Sequence, residues 1–228
     1  VSSIMMAMPQ NLNMDFTQAV TIFSQQQAWL KSPKAGVWRK PLERLEAEAG
    51  WTSSIVKYEA GATFSTHQHP LGEEIWVLDG VFSDEDGDYP AGSYLRNPPG
   101  SSHAPFSRQG CTIFVKLNQF LATDSQAVRI NTEQQVWRPG IGGLKVMSLH
   151  SFATQHTALV HWPAGEIFQP HRHFGGEEIL VLSGEFIDEH GRYPSGTWLR
   201  RPHLSEHCPY VERATTILVK TGHLPEAN

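Results

Sequence analysis

Two stretches of the 228-residue chain, 61–116 and 165–220, align without a gap at an offset of about 104 residues, with about half of the aligned positions identical. Such a repeat obliges both halves to build the same supersecondary unit, which makes the chain a tandem duplication of one small domain. Each copy carries the same His-x-His, Glu, His set: His67, His69, Glu73 and His103 in the first, His171, His173, Glu177 and His207 in the second. All four chemistry-bearing positions coincide, together with most of the glycines and several of the prolines between them, and two copies of one such pattern are much harder to reach by chance than one.

The repeat also decides the fold class. Its segments are short runs of β-branched and aromatic residues (54–58, 74–78, 93–96, 111–117) separated by turn signals at Asp86-Gly87, His190-Gly191 and Pro98-Pro99-Gly100. With 19 Gly, 15 Pro and only 18% charged residues, this reads as all-β. One segment, 42–49, is made of good helix formers, but its aligned counterpart 146–153 alternates as a strand, and the repeat takes precedence: both are expected to be strands. The expected organisation is an N-terminal arm over 1–25, loose apart from one short strand or helical turn within 16–23, then a first domain over 26–122 and a second over 123–228. Trp29 and Trp137 mark equivalent starts.

A net charge of -5 and the absence of a Lys/Arg cluster argue against a nucleic-acid groove or an anionic membrane surface. The opening residues 1–8 lack the basic and long apolar regions of a signal peptide, so the expected location is cytoplasmic. Cys111 and Cys208 fall at non-equivalent repeat positions and are expected to be free thiols.

In an extended strand, residues i and i+2 share a face, so His67 and His69 present two imidazoles side by side. Glu73 opens the next apolar strand, on the face of Ile75 and Val77, and a tight return through Pro70-Leu71-Gly72 brings it back to the pair. His103 must be carried in by closure of the sheet. Three neutral imidazoles and a carboxylate suit a divalent ion, up to two per chain: zinc as first choice, with Fe, Ni or Mn as alternatives. In the second copy Leu204 stands for Gly100 and Glu206 for Ser102, which makes the two sites unequal.

These residues carry a resemblance. Gly61-x5-His67-x-His69-x3-Glu73-x6-Gly80, followed by Gly92-x5-Pro98-x-Gly100-x2-His103, looks like the two cupin motifs, repeated from Gly165 to His207. More narrowly, Gly72-Glu73-Glu74-Ile75, then Asp84-Glu85, Tyr89-Pro90 and Gly92, resembles the ChrR-like cupins. These are similar to the C-terminal sensor domain of ChrR-type zinc anti-sigma factors and to dioxygenases acting on diketones or hydroxyacetophenones. The resemblance implies two tandem cupin barrels of the double-stranded β-helix, jelly-roll type, with the eight His and Glu residues as metal ligands. It implies either a sensor of an oxidant or small ligand in a transcriptional stress response, or a non-haem metal-dependent dioxygenase. The His-x3-Cys-x2-Cys signature of the sigma-binding zinc domain is not in this sequence, so a sigma-factor partner is not expected. Exposed barrel edges allow a homodimer.

Among other residues, Glu74 and Glu178 are expected on the opposite face from the ligands, in ion pairs with Arg96 and Arg200. The repeated aromatics, such as Phe64, Phe168 and Trp76, read as core, and the remaining histidines (150, 156, 161, 190, 203 and 223) as surface or packing residues.

Overall fold

The computed structural model describes residues 8–46 and 49–225. Among them there is no α-helix, only strands and two single 3₁₀ turns, Ser24–Gln26 and Thr132–Gln134. No described helix is long and apolar enough to cross a membrane.

The chain forms two jelly-roll barrels. In the first, the large sheet runs in the order Val128–Asn131, Ser93–Asn97, Glu73–Asp84, Cys111–Leu117, Thr52–Tyr58, Val37–Arg44, Leu30–Lys31. In the second the order is Val20–Phe23, Thr197–Arg201, Glu177–Ser183, Thr215–Thr221, Gln155–Trp162, Lys145–Phe152, Arg138–Pro139. The two orders correspond strand for strand. Short ribbons face each sheet and close the sandwich, and alternate residues meet inside: Val56, Ile75, Val77, Phe82, Leu95 and Ile113 in the first core, Trp162, Ile179, Val181, Phe186, Leu199 and Ile217 in the second. Each such side chain, fully buried, contributes about 1.5–3 kcal/mol of transfer free energy, enough to hold small sheets together.

The division of the chain differs from the sequence expectation. The compact units are Val1–Met14 with Ala28–Gln135, and Asp15–Gln27 with Val136–Asn228. Val20–Phe23 is therefore no part of a loose arm: it pairs antiparallel with Thr197–Arg201 of the second barrel, Val20 opposite Arg200 and Phe23 opposite Thr197. Val128–Asn131, placed by sequence at the start of the second domain, pairs instead with Ser93–Asn97 of the first. The same latch seats both strands, since Ser24 Oγ donates to the Gly196 carbonyl and Thr132 Oγ1 to the Gly92 carbonyl, each at 2.6 Å. Each barrel thus takes its edge strand from the segment that opens the other repeat. The physical reason is that an edge strand is selected by the sheet edge it covers, and equivalent strands fit equivalent edges in either barrel. Residues 1–7 lie outside the described residues.

Two local expectations also change. The strand expected over 42–49 ends at Arg44, because the ungapped repeat offset does not hold there: register matches Arg39 with Val146 and Arg44 with Ser151, so Lys145–Phe152 answers to Val37–Arg44 rather than to 42–49. Asp84 pairs with Gly87 and Asp188 with Gly191, so the tight turns are Glu85-Asp86 and Glu189-His190, and the glycines already belong to the returning strands.

Candidate metal centres

Register supplies what sequence spacing left open. His67–His69 and Ser101–His103 form a two-stranded antiparallel ribbon in which His103 stands opposite His67. In the second barrel His171 stands opposite His207. The turn between ribbon and sheet depends on Gly72, at φ +79°, where a Cβ would fall 2.5 Å from the Phe120 ring. This close return lets Glu73 open its strand beside the imidazoles.

The predicted residues come together in both barrels. In the second, one donor atom from each of His171, His173, Glu177 and His207 lies within 4.8 Å of every other. In the first the three imidazoles meet that limit, and Glu73 Oε2 lies 3.3 Å from His69 Nε2 and 3.2 Å from His103 Nε2. His69, His103, His173 and His207 are buried, as are both glutamates.

Hydrogen bonds select the nitrogen that faces inward. His67 Nδ1 lies 3.0 Å from the Ser65 carbonyl oxygen and His171 Nδ1 3.0 Å from that of Gln169. A carbonyl only accepts, so Nδ1 carries the proton and Nε2 offers its lone pair. His103 and His207 are oriented by carboxylates: Asp84 Oδ2 and Asp188 Oδ2 each stand 3.3 Å from Nδ1. Tyr89 and Tyr193 hydroxyls donate to those aspartates at 3.1 and 2.9 Å. Glu85 and Glu189 accept from the backbone N–H just after the third histidine, at 2.9 and 3.0 Å. Inside this frame the buried His69 Nε2 and His103 Nε2 make no well-directed hydrogen bond, and Glu177 Oε2 likewise. His173 Nε2 and His207 Nε2 approach to 3.0 Å, which leaves two imidazole nitrogens converging on one point. Buried donor atoms aimed at each other's lone pairs are what an ion-binding site requires, and the donor set fits a divalent ion.

The electrostatics of the two centres differ. Burial raises the Glu73 pKa, but His103, His69 and the Asn97 amide, which donates at 2.8 Å, outweigh it and leave the carboxyl below its ordinary value. Burial lowers His103, yet Asp84 and Glu73 prevail and bring it to about 9. In the second centre burial raises Glu177 to about 7, with only partial relief from His207 and Arg201, and burial together with His207 and His171 depresses His173 to about 3. His103 and His69 contribute most of the lowering of Glu73, and Asn97 adds a smaller share. Its repeat counterpart is Arg201, whose guanidinium turns to the Tyr193 hydroxyl (2.9 Å) and the Val20 carbonyl (3.3 Å). The first barrel draws its guanidinium from the exchanged edge strand, where Arg129 donates to Asn97 Oδ1 at 2.6 Å and to the Tyr89 hydroxyl at 3.2 Å. Arg129 and Thr21 occupy the same register, opposite Leu95 and Leu199, so arginine and its neutral neighbour have traded strands between the barrels.

Other sequence expectations resolve here. Glu206 does not crowd the second centre; it pairs with exposed Arg172 across the ribbon. Leu204 does follow the glycine-like path, at φ +63° beside +80° for Gly100, and both N–H groups donate to the carbonyl of the second histidine, His173 or His69. Glu74 accepts from the Tyr94 hydroxyl and Glu178 from Trp198 Nε1, with His223 Nε2 3.1 Å away, while Arg96 pairs with Asp124 at 2.8 Å. The expected Glu74–Arg96 pairing is thus replaced by partners that the strand faces bring closer. Both cysteines are free. Sequence reasoning missed the roles of Asp84, Asp188, Asn97 and Arg129. The aspartates were discernible as a repeated Asp-Glu, Asp84-Glu85 and Asp188-Glu189; Asn97 and Arg129 were not, since their counterparts Arg201 and Thr21 are different residue types.

The family model of the ChrR cupin-like domain matches the chain twice, over residues 17–121 and 125–225. The chain belongs to the ChrR cupin-like family. This ChrR cupin-like protein also resembles solved structures. A Nostoc punctiforme protein provisionally described as a dioxygenase shares 13% identity at a TM-score of 0.74, over 92% of this chain and 85% of that one. The Escherichia coli pirin YhhW, in complex with nickel(II), gives 12% and 0.69 over 92% and 100%. The Bacillus subtilis oxalate decarboxylase OxdC gives 12% and 0.62 over 96% and 79%. At such identities the likeness carries the fold alone. No curated protein matches the ChrR cupin-like chain in sequence.

Proposed function

We propose that the protein is a metal-binding bicupin that holds one divalent ion through His67, His69, Glu73 and His103 and a second through His171, His173, Glu177 and His207. In this reading the first barrel binds a small organic molecule or oxidant at its centre, and the second has a mainly structural ion. The observation that carries it is the difference in space beside the two donor sets. His67, His69 and Glu73 line a cavity of about 800 Å³, within the usual range for small-molecule sites, whereas the cavity touching His171, Glu177 and His207 is about 140 Å³. Trp162 stands at the register of Tyr58 and packs edge-on to Phe186 at 5.5 Å, as Tyr58 does to Phe82 at 5.9 Å, and the two line the smaller and the larger cavity.

A bound divalent ion would supply a Lewis-acid centre. The chain's own residues do the rest. Asp84 and Asp188 hold the Nδ1 proton of the third histidine, Asn97 holds the Glu73 carboxylate, and Phe64, Val56, Ile113 and Val115 shield the first centre from water. A sensor follows if ligand arrival or oxidation at the first centre loosens the ribbon that carries His67 and His103, since metal binding and folding are coupled. The size and mainly apolar walls of the cavity also favour a second reading, a dioxygenase for a diketone or hydroxyaryl ketone.

Metal analysis of the purified protein is expected to find two divalent ions per chain, one of them lost in His69→Ala and the other in His173→Ala. Protein that takes up no metal on reconstitution would end both readings. Zinc in both centres with no oxygen uptake would favour the sensor, and oxygen uptake by iron-loaded protein on a panel of such ketones would favour the enzyme.

A further inference from the structure

A large ring stands at the same register beside both donor sets: Tyr58 opposite Cys111 in the first barrel, Trp162 opposite Thr215 in the second. The rings around them correspond as well. Tyr58 lies 5.5 Å from Phe64, which lies 5.9 Å from His67, and 5.9 Å from Phe82, which lies 6.1 Å from His103. Trp162 lies 6.0 Å from Phe168, which lies 4.9 Å from His171, and 5.5 Å from Phe186, which lies 6.0 Å from His207. Each ring is thus one aromatic neighbour away from two candidate ligands.

Those neighbours are phenylalanine in both repeats, whereas this position is in both a ring with a polar hydrogen. Apolar packing has no use for that hydrogen. Trp162 is 4% exposed, lines the smaller cavity with His171, Glu177 and His207, and its buried Nε1–H has no hydrogen-bond partner among the described residues. Tyr58 is 6% exposed and lines the larger cavity with His67, His69 and Glu73, and its hydroxyl likewise has no hydrogen-bond partner among the described residues. Leaving a buried donor unbonded is costly, so protein interiors pair nearly all of them with protein, water or a bound molecule. What the two side chains share is donation, because an indole N–H cannot accept. Burial, and after it the charge of Glu73, push the Tyr58 hydroxyl above its ordinary pKa, so it keeps its proton and remains a donor.

We propose that Tyr58 is a specificity-determining residue of the first chamber, its O–H donating to an acceptor oxygen of a small molecule whose apolar body packs on Phe64, Val56, Ile113 and Val115. This names the group recognised in the chamber read above as the ligand-binding one, and it rests on that reading. The cavity at Trp162, about 140 Å³, has room for far less than the 800 Å³ at Tyr58.

The test is equilibrium titration of the full chain, metal-loaded and metal-free, with 4-phenylbutan-2-one and with 2-methyl-4-phenylbut-1-ene, in which a methylene replaces the carbonyl oxygen. Tyr58→Phe removes the hydroxyl and keeps the ring. It is expected to weaken the ketone about five- to ten-fold and to leave the alkene as tight or tighter, with metal content at the wild-type level. Its thermal midpoint without probe should be no lower than that of the wild type, since the hydroxyl gives up no bond to the protein. In the metal-free wild type the carbonyl stretch of the bound ketone should lie below its value in hydrocarbon solvent, and Tyr58→Phe should return it. An unchanged ketone affinity, equal weakening of both probes, a lowered midpoint or an unshifted carbonyl stretch would each overturn the role of Tyr58 while leaving the chamber reading in place. No saturable binding of either probe would remove the chamber reading and this proposal together.

Discussion

The two centres have the same four candidate ligand types on equivalent strands, and they differ in what lies just behind them. Around the first, a neutral amide bonds Glu73 and the guanidinium sits one strand farther out, on Arg129; around the second, the guanidinium is on Arg201 and turns toward Tyr193 and the edge strand. The histidines also stand closer to Glu73 (3.3 and 3.2 Å) than to Glu177 (3.4 and 3.5 Å), and Glu73 is held below its ordinary value beside a His103 raised to about 9, against a Glu177 that burial raises to about 7 beside a His173 depressed to about 3. A ligand set therefore does not define a metal site. The residues that orient and neutralise it decide its charge, and the side chains filling the barrel decide whether anything besides an ion fits.

The largest expected effect comes from removing the buried orienting carboxylates. Asp84→Asn and Asp188→Asn each take a charge from behind one histidine and should weaken metal binding at that centre about 10–100-fold, leaving the other unchanged. Competition with a chromophoric chelator measures this, and equal weakening at both centres in either variant would break the view of two separate sites.

A second contrast lies in protons. Ligation needs neutral imidazole and ionised carboxylate, so loading at pH 8 should release about one proton at the first centre, where His103 is still protonated, and close to none at the second, where Glu177 has already lost its proton. The first centre's apparent affinity should accordingly keep rising until pH passes about 9, whereas the Glu177 contribution to the second levels off above about 7. Proton release in weak buffer, compared between His173→Ala and His69→Ala, separates the two. Identical release would show that the ring of neighbours does not distinguish them.

The smallest effect concerns the turn before the third histidine. Leu204 holds a left-handed backbone that costs a non-glycine residue about 1–2 kcal/mol, and its side chain is largely exposed. Leu204→Gly should stabilise the second barrel by about 1 kcal/mol after the entropy of the added glycine, and Gly100→Leu should destabilise the first by a similar amount. Thermal unfolding reads both. If Leu204→Gly destabilises, the side chain has a contact role that outweighs backbone strain.

Much of this was legible in the chain. His-x-His on one strand face, Glu73 after a tight return and a duplicated His103 are local or repeated patterns, and the repeat overruled helix propensity correctly through Arg44. It failed past that residue because the repeat offset shifts by three residues in this strand, which matches Arg44 with Ser151. Asn97 and Arg129 were not legible because each matters only through a neighbour on another strand, and the two repeats solve the same problem with different residues.

The sequence by itself determined the duplicated β-rich domain, its membership in a recognisable family and the eight candidate ligands, because these follow from strand alternation and from repetition. Only the tertiary structure decided that Val20–Phe23 completes the second barrel and Val128–Asn131 the first, and that the cavity beside the donor set is about 800 Å³ in one barrel and about 140 Å³ in the other. Those outcomes depend on which edges are open and which side chains meet across strands, and pairing between residues distant in sequence is set by closure of the whole sheet rather than by any local pattern.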